Sequence, residues 1–176
     1  MFTHQINDKL SFKLPTIADA TDLLALIDTD RGPLGKWLPW AKDSFSINDE
    51  IDFIQNGRQE MAADSFWFAI IQVDGQAAGM VDLHNISQEH HRCEIGYWLA
   101  NQFQGQGIMT AAIRELEAIA FIELNMNRLE IFADAENEKS RAVATRRGFK
   151  LEGILNQYVN YSDQFRDMAL YAKLRN

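Results

Sequence analysis

Hydrophobic residues recur along the chain at the spacing of strands in some segments and at the spacing of helices in others. The first alternating segment predicts a strand over Ile6–Leu14. A helical spacing follows it and predicts a helix that begins at Thr16 or Asp19 and ends at Ile27. A second helix is expected over Ser46–Ala63, because a serine followed three positions later by an acidic residue forms a capping box at a helix start.

The pattern in the middle of the chain changes to that of strands. Phe66–Val73 is almost continuously apolar, which is typical of a strand that is buried on both faces. Asp74 and Gly75 then form a hairpin-turn signal. Two further strands are therefore expected, over Ala78–Ile86 and Arg92–Leu99.

The last third of the chain alternates between helices and strands. A long amphipathic helix is predicted over Ile108–Leu124, and its apolar stripe consists of Met109, Ala112, Ile113, Leu116 and Ala120. A strand over Arg128–Ala133 and a helix over Asn137–Arg147 follow, and two strands over Phe149–Val159 and Phe165–Leu174 close the chain. This order predicts an α+β fold, a mixed sheet with helices on both faces.

The composition is that of a folded, acidic protein. Of its 176 residues 47% are hydrophobic, which at this length favours one domain over residues 1–176. The net charge is −8 and the sequence pI is about 4.9. A nucleic-acid-binding surface is not expected, because phosphate contacts require clustered lysine and arginine. The acidic balance favours a cationic partner, although it also serves solubility alone.

Cys93 is the single cysteine, which excludes an internal disulfide and a multi-cysteine metal site. The N-terminus lacks the basic and apolar regions of a signal peptide, and no apolar run reaches the length of a membrane-spanning helix. We therefore expect a cytoplasmic protein with no metal and no membrane partner.

The most informative segment runs from Glu94 to Thr110. It combines a strand, a turn that contains Gly105 and Gly107, and the start of the long helix. Glycines leave room for a ligand beside the backbone, and a helix start presents unpaired N–H groups and a positive dipole end. The segment therefore predicts an anion site, for which a diphosphate is a common ligand.

Two known nucleotide-binding turns differ from this one. A P-loop requires Gly-Lys-Ser/Thr, whereas Gly107 is followed by Ile108. A dinucleotide-binding turn requires a third glycine where this chain has Thr110, and it follows a leading strand rather than a hairpin. A tight turn without a ligand is the structural alternative to an anion site.

Three segments together carry a resemblance to a known family. Gln104–Met109 resembles the Q/R-x-x-G-x-G/A acetyl-CoA loop of the GNAT acetyltransferase superfamily. Glu94–Leu99 resembles the splayed strand that precedes this loop in the family, and Asn137–Arg141 resembles the second cofactor motif. The segments stand in the order of the family and span nearly the whole chain.

Two further segments are similar to one branch of the family. Gly-Ile-Met-Thr at 107–110 and Trp37–Trp40 are typical of the RimJ/RimL type, which acetylates protein N-termini, although Met109 replaces the usual small residue. The resemblance implies a mostly antiparallel sheet of six to seven strands with a splayed central pair and about four helices. It also implies acetyl-CoA as co-substrate and direct transfer to an amine.

The resemblance implies that the splayed strand, the glycine turn and the second motif bind acetyl-CoA. The residues concerned are Trp98, Leu99, Gln104, Gly105, Gln106, Gly107, Ile108, Met109, Thr110, Asn137, Ser140 and Arg141. Asn137 can instead be a plain helix N-cap. A basic cluster can attract phosphates or form a solvated helix face, and it consists of Lys139, Arg141, Arg146, Arg147 and Lys150.

Glu94 is the first candidate for the general base, because strand alternation places it on one face with Gly96 and Trp98. His84 on the preceding strand is the second candidate. Both side chains can also be ion-paired or hydrogen-bonded residues of the sheet. A glutamate base that some RimL-type enzymes carry on a later strand does not transfer, since Val159 stands at the matching position.

The resemblance implies that Ser140 stabilises the departing thiolate. Capping of its helix is the structural alternative for Ser140, and Tyr158 is an alternative donor. Cys93 lies on the strand face opposite Glu94, so we expect a buried, inert thiol rather than an acetylated one.

The acceptor that the resemblance implies is the α-amine of a protein N-terminus, such as that of a ribosomal protein. Trp37–Trp40 can line the acceptor channel, or it can belong to the core. Two other functions stay open: acetylation of a small amine such as a polyamine or amino-sugar, and non-catalytic acyl-CoA binding. The family resemblance is also compatible with a homodimer.

Overall fold

The computed structural model describes residues 2–41, 45–161 and 164–175. The strands are β1 (Thr3–Gln5), β2 (Leu10–Lys13), β3 (Trp67–Val73), β4 (Gln76–Ser87), β5 (Arg92–Leu99), β6 (Arg128–Asp134), β7 (Lys150–Tyr161) and β8 (Gln164–Leu174). The α-helices are α1 (Ala20–Gly35), α2 (Ile47–Ala62), α3 (Ile108–Ala118) and α4 (Glu138–Arg146). The strands form one open sheet in the order β1-β2-β3-β4-β5-β6-β8-β7, and β5–β6 is the parallel pair among antiparallel ones.

The α+β prediction is confirmed, but the prediction of one first strand over Ile6–Leu14 is wrong in detail. Only β2 lies within this range; β1 precedes it and pairs with β2 as a hairpin, so the described residues form a sheet of eight strands instead of six to seven. Asn7 makes the turn, because its Oδ1 accepts the N–H groups of Lys9 and Leu10, both at 3.0 Å. A polar side chain that satisfies backbone donors locally competes with continuation of a strand.

The first helix was expected to end at Ile27, whereas α1 continues to Gly35. It is bent at Asp30, which has φ −118° and ψ 17°, three residues before Pro33. Proline within a helix removes a donor and disturbs the preceding turn, which accounts for the bend. The buried Asp30 carboxylate accepts the Asn101 N–H at 2.6 Å and thereby joins the bend to the end of β5.

Helices cover both faces of the sheet. On one face α3 packs with its predicted apolar stripe fully turned into the core, together with alternate residues of β5 such as Cys93 and Ile95. The helix then continues as a π-helical turn over Ile119–Glu123. On the other face, α1 and α2 pack against Phe68, Ile70 and Trp98.

The two central strands separate half-way along their length. β5 and β6 are paired only where Arg92–Glu94 faces Arg128–Glu130. Beyond that point β5 stays with β4 as far as Leu99, and β6 stays with β8 as far as Asp134. The predicted splay is therefore present, and it opens a wedge in the middle of the sheet. None of the described helices combines the length and apolarity needed to cross a membrane.

Candidate active site

A cleft of about 1500 Å³ occupies the wedge between β5 and β6 and extends over the starts of α3 and α4. The predicted site residues that line it are His84, Glu94, Trp98, Leu99, Gln104, Gly105, Gly107, Ile108, Met109, Thr110, Asn137 and Ser140. Gln106 and Arg141 are not among its lining residues. Gln106 donates to the Gln102 carbonyl at 3.0 Å, and Arg141 donates to Tyr171 Oη at 3.1 Å and to the Ala135 carbonyl at 2.8 Å.

The start of α3 has the form expected of an anion site. Gly107 is its N-cap residue and Gly105 precedes it, with φ of +76° and +74° respectively, and L-amino acids rarely adopt this region. Among the described residues no side chain caps the helix, so its first N–H groups are left without a side-chain acceptor beside the cleft. A Cβ at either glycine would meet no heavy atom of the described part of the chain within 4 Å, which leaves open space beside the backbone.

The starts of α2 and α4 differ from the start of α3. In α2 the Ser46 hydroxyl and the Asp49 carboxylate form the predicted capping box. In α4 the Asn137 side chain accepts the Ser140 N–H at 3.1 Å. Both starts are satisfied by their own side chains, whereas the start of α3 keeps its amides available for a ligand.

Four cationic side chains from α3, from α4 and from the residue that follows α4 line the cleft: Arg114, Lys139, Arg146 and Arg147. Lys139 donates to Gln104 Oε1 at 3.0 Å, and Gln104 in turn donates to the Leu99 carbonyl at 3.0 Å. Arg147 is held by the buried carboxylate of Glu117, with N–O distances of 3.1 and 2.8 Å. A positive rim beside uncapped helix amides suits a ligand with several phosphates.

Comparison with known proteins agrees with this geometry. Residues 9–150 match the model of the acetyltransferase (GNAT) domain. The chain belongs to the GNAT acetyltransferase family. It is 38% identical to the putative ribosomal N-acetyltransferase YdaF of Bacillus subtilis, over 99% of this chain and 96% of the relative. It is also 35% identical to the ribosomal-protein-serine acetyltransferase of Escherichia coli, over 98% and 97%.

A solved structure extends the comparison to a bound ligand. The microcin C7 self-immunity acetyltransferase MccE, in complex with acetyl-CoA and AMP, is 29% identical to the chain, with a TM-score of 0.91. The match covers 97% of this chain and 94% of the other. The protein is therefore a GNAT acetyltransferase of the RimJ/RimL type, as its motifs predict, and it has the mixed α+β fold of that family.

In this GNAT cleft, Glu94 and His84 belong to a row of three charged side chains. His84 Nδ1 lies 2.6 Å from Asp82 Oδ1, and His84 Nε2 lies 3.1 Å from Glu94 Oε2. The second oxygen of Glu94 accepts the Asn85 side-chain amide at 2.9 Å. Alternation places the three charged residues on the face that α1 and α2 cover, with Trp98.

The row is charged as two carboxylates and one imidazolium. Burial would lower the pKa of His84, but its hydrogen bonds to Asp82 and Glu94 outweigh burial and raise the pKa to about 10. Burial would raise the pKa of Glu94, but the hydrogen bonds from His84 and Asn85 hold that pKa below its ordinary value. His84 therefore carries a proton at neutral pH, and Glu94 is an ionised acceptor.

Ser140 does not cap its helix with its side chain, because Asn137 does so. Instead, Ser140 Oγ lies 2.8 Å from the phenol oxygen of Tyr97. Tyr97 lies on the α3 face of β5, and burial raises the pKa of its phenol to about 12. The sequence reasoning missed Tyr97, although its position one residue after Gly96 in the splayed strand already placed it on the face opposite Glu94.

Residues that follow α1 and residues of β7 and β8 form another part of the cleft wall. Trp37 and Leu38 line it, together with Tyr161 and Met168. Trp40 is not a lining residue and packs edge-on against Trp98, with ring centroids 6.4 Å apart. Trp37 of the aromatic segment thus lines the cleft, whereas Trp40 packs against β5 through Trp98.

Four carboxylates also line the cleft: Glu94, Asp134, Glu136 and Glu138. Asp134 is 4% exposed and lies 3.0 Å from the Arg166 guanidinium, which sits 5.7 Å from the centre of the Trp37 ring. Asp134, Glu136 and Arg114 were not predicted from sequence. Only the parting of β5 and β6 exposes the end of β6 to the cleft.

Two other candidates, Cys93 and Tyr158, and the position of Val159 lie away from the chemistry. Cys93 is buried on the α3 face, and burial raises the pKa of its thiol to about 12, as expected of an inert cysteine. Tyr158 stacks on Phe132 with ring centroids 5.7 Å apart and is not among the lining residues. Val159 pairs with Arg166 in the β7–β8 hairpin and offers no proton acceptor.

Proposed function

We propose that the protein transfers the acetyl group of acetyl-CoA to the N-terminal α-amine of a protein, with ribosomal proteins as the leading class of acceptor. The observation that carries this proposal is the wedge between β5 and β6. At the wedge, the uncapped start of α3 and the ionised Glu94 open into one cleft. The relatives named above for ribosomal proteins support the choice of acceptor.

The residues present fit acetyl-CoA. The amides of Gly107 to Thr110 can hold its diphosphate, with Arg114 and Arg146 as charged neighbours. The free edge of β5 beyond Glu94 can align its pantetheine arm, since β6 no longer pairs there. When bound, acetyl-CoA supplies a thioester carbonyl that an amine can attack.

Glu94 is the base that this geometry favours over His84. A proton acceptor must be unprotonated, and the imidazole of His84 is protonated and engaged at both ring nitrogens. Glu94 accepts the amine proton directly or through a water, and His84 with Asp82 holds the carboxylate in place. An α-amine has a pKa of ~8 and a lysine side chain a pKa of ~10.4, so a weak base removes a proton more readily from an α-amine.

Acetylation assays with peptides test the proposal. Ser- and Ala-initiated peptides should be acetylated by acetyl-CoA, whereas the same peptides with a blocked N-terminus should not. Glu94→Gln should lower kcat/KM about 10²-fold, at the low end of the usual range for general bases. Glu89→Gln, on the turn between β4 and β5, is the matched control and should stay within about twofold of the parent.

The same assay separates the alternatives. The cleft carboxylates equally suit a polyamine, so spermidine is tested beside the peptides. If spermidine is acetylated faster than the peptides, the acceptor class is a polyamine and not a protein N-terminus. Saturable acetyl-CoA binding without transfer to any amine would favour a non-catalytic binding protein, and no binding by calorimetry would overturn the proposal entirely.

A further inference from the structure

Tyr97 and Ser140 contact each other across the cleft wall, although they belong to different elements. Tyr97 lies on β5, and Ser140 lies in the first turn of α4 on the other side of the wedge. The Tyr97 phenol oxygen is 2.8 Å from Ser140 Oγ and 3.2 Å from the Ser140 carbonyl oxygen. Both residues line the cleft, so this contact links β5 to α4 within the cleft wall.

The two hydroxyl groups have one proton each, which restricts their hydrogen bonds. If Tyr97 donates to the Ser140 carbonyl, then Ser140 Oγ must donate its own proton back to Tyr97 at the 2.8 Å contact. If Tyr97 donates to Ser140 Oγ instead, the serine proton is free to turn into the cleft. The orientation of the Ser140 proton therefore depends on Tyr97.

We propose that Tyr97 is a positioning residue that donates to Ser140 Oγ and aims the serine proton at the departing sulfur. This inference rests on the proposed function. In the reaction, the amine nitrogen forms a bond to the carbonyl carbon, and the carbon–sulfur bond breaks with its electron pair left on sulfur. Ser140 donates a hydrogen bond to that thiolate, and the amine proton leaves toward Glu94.

Tyr97 gives up no proton in this scheme. Burial raises the pKa of its phenol to about 12, well above that of a thiol near ~8.5, so the phenol stays protonated beside a thiolate. The Ser140 N–H does not depend on Tyr97, because Asn137 Oδ1 accepts it at 3.1 Å. Loss of the phenol oxygen should therefore release the serine hydroxyl without uncapping α4.

A double-mutant cycle in the peptide acetylation assay tests the inference. Tyr97→Phe should lower kcat about tenfold and leave KM for acetyl-CoA within about twofold, which is the size expected for one lost hydrogen bond in the transition state. Ser140→Ala should lower kcat by at least as much. When Tyr97→Phe is added to Ser140→Ala, it should have an effect below about twofold, because the oriented hydroxyl is already absent.

Tyr171→Phe is the matched control. It also removes the oxygen of a buried tyrosine that contacts an α4 side chain, but that contact is with Arg141 at 3.1 Å, outside the cleft lining. Its kcat should stay within about twofold of the parent, and thermal unfolding of all variants reports on folding. The inference would be overturned if the loss of kcat in the double variant equalled the product of the two single losses. It would also be overturned if kcat were unchanged in either single variant. A parent protein without acetyl transfer would instead contradict the proposed function.

Discussion

The carboxylate of Asp82 occupies the space that a side chain at position 96 would need. A Cβ built on Gly96 would lie 2.7 Å from Asp82 Oδ1 and closer still to Oδ2, far inside van der Waals contact. Asp82 and Gly96 lie directly opposite each other on β4 and β5, so the missing side chain at position 96 leaves room for the Asp82 carboxylate. From there Asp82 reaches His84, which in turn reaches Glu94.

Gly96→Ala should therefore disturb the charged row as well as the packing. We expect a loss of about 1–3 kcal/mol in the free energy of unfolding, the usual range for overpacking a filled site. The pKa of His84, followed by NMR, should fall toward the ordinary histidine value as its partner is displaced. Gly153→Ala in β7 is the control, since a Cβ there would meet nothing within 4 Å. An unchanged His84 titration in Gly96→Ala would contradict this account.

His84 should make stability depend on pH in the alkaline range. Its pKa is about 10 in the fold, whereas a histidine in an unfolded chain titrates near ~6.5. The folded state thus binds the proton more tightly, and the stabilisation is complete below about pH 6.5 and is lost as the pH rises through about 10. Because the side chain is 37% exposed, we expect a contribution of only about 1 kcal/mol after solvent screening.

Thermal unfolding of His84→Gln from about pH 6 to pH 10 measures this contribution. The variant should be less stable than the parent at the acidic end, by about 2–4 °C in Tm, and the difference should shrink toward the alkaline end. His90→Gln, at an exposed position of the turn between β4 and β5, should show no such trend. A difference that grows with pH would reverse the sign of the argument.

Two glycines with nearly equal backbone angles allow strain to be separated from ligand binding. Gly107 has φ +76° at the start of α3, and Gly75 has φ +81° in the β3–β4 turn. Alanine at either position should cost about 1–2 kcal/mol of stability, because a Cβ disfavours the left-handed region. Only Gly107→Ala should also weaken acetyl-CoA binding, by about tenfold in calorimetric titration, since its methyl group enters the proposed diphosphate cradle. Equal affinities of the two variants would argue against that cradle.

Glu50 on α2 has a buried carboxyl group, and hydrogen bonds do little to offset its loss of hydration. It is 2% exposed, its Oε1 accepts no hydrogen bond from the described residues, and burial raises its pKa to about 7. Because the folded pKa lies above the unfolded one, its contribution is most favourable below about pH 4.5 and is lost as the pH rises through about 7.

Glu50→Gln should therefore stabilise the protein above about pH 8, by up to about 3 kcal/mol, and have little effect near about pH 4. Denaturant unfolding at the two pH values measures both effects. Glu60→Gln, at an exposed position of the same helix, provides the comparison and should change stability by less than about 0.5 kcal/mol at either pH. A destabilised Glu50→Gln at the higher pH would indicate that the carboxylate has a partner that stabilises its charge.

Much of the fold follows from spacing over a few residues. The apolar stripe of α3, the capping box of Ser46 and the left-handed glycines before α3 involve neighbours on one element, so pattern alone predicts them. The splay of β5 and the second motif came from family resemblance rather than from periodicity. The continuation of α1 beyond its bend was missed, and the Asp30 carboxylate at this bend accepts the N–H of Asn101, a residue 71 positions away.

The sequence by itself determined the order of the elements after the β1–β2 hairpin, the faces of β5 and the glycine turn before α3, because these depend on side-chain period and local backbone angles. Tertiary structure alone decided which functional groups meet. Ser140 pairs with Tyr97 across 43 residues, and Glu94 shares His84 with an aspartate that only a glycine can admit. Such contacts depend on strand register and on the parting of β5 from β6, and no local spacing encodes either.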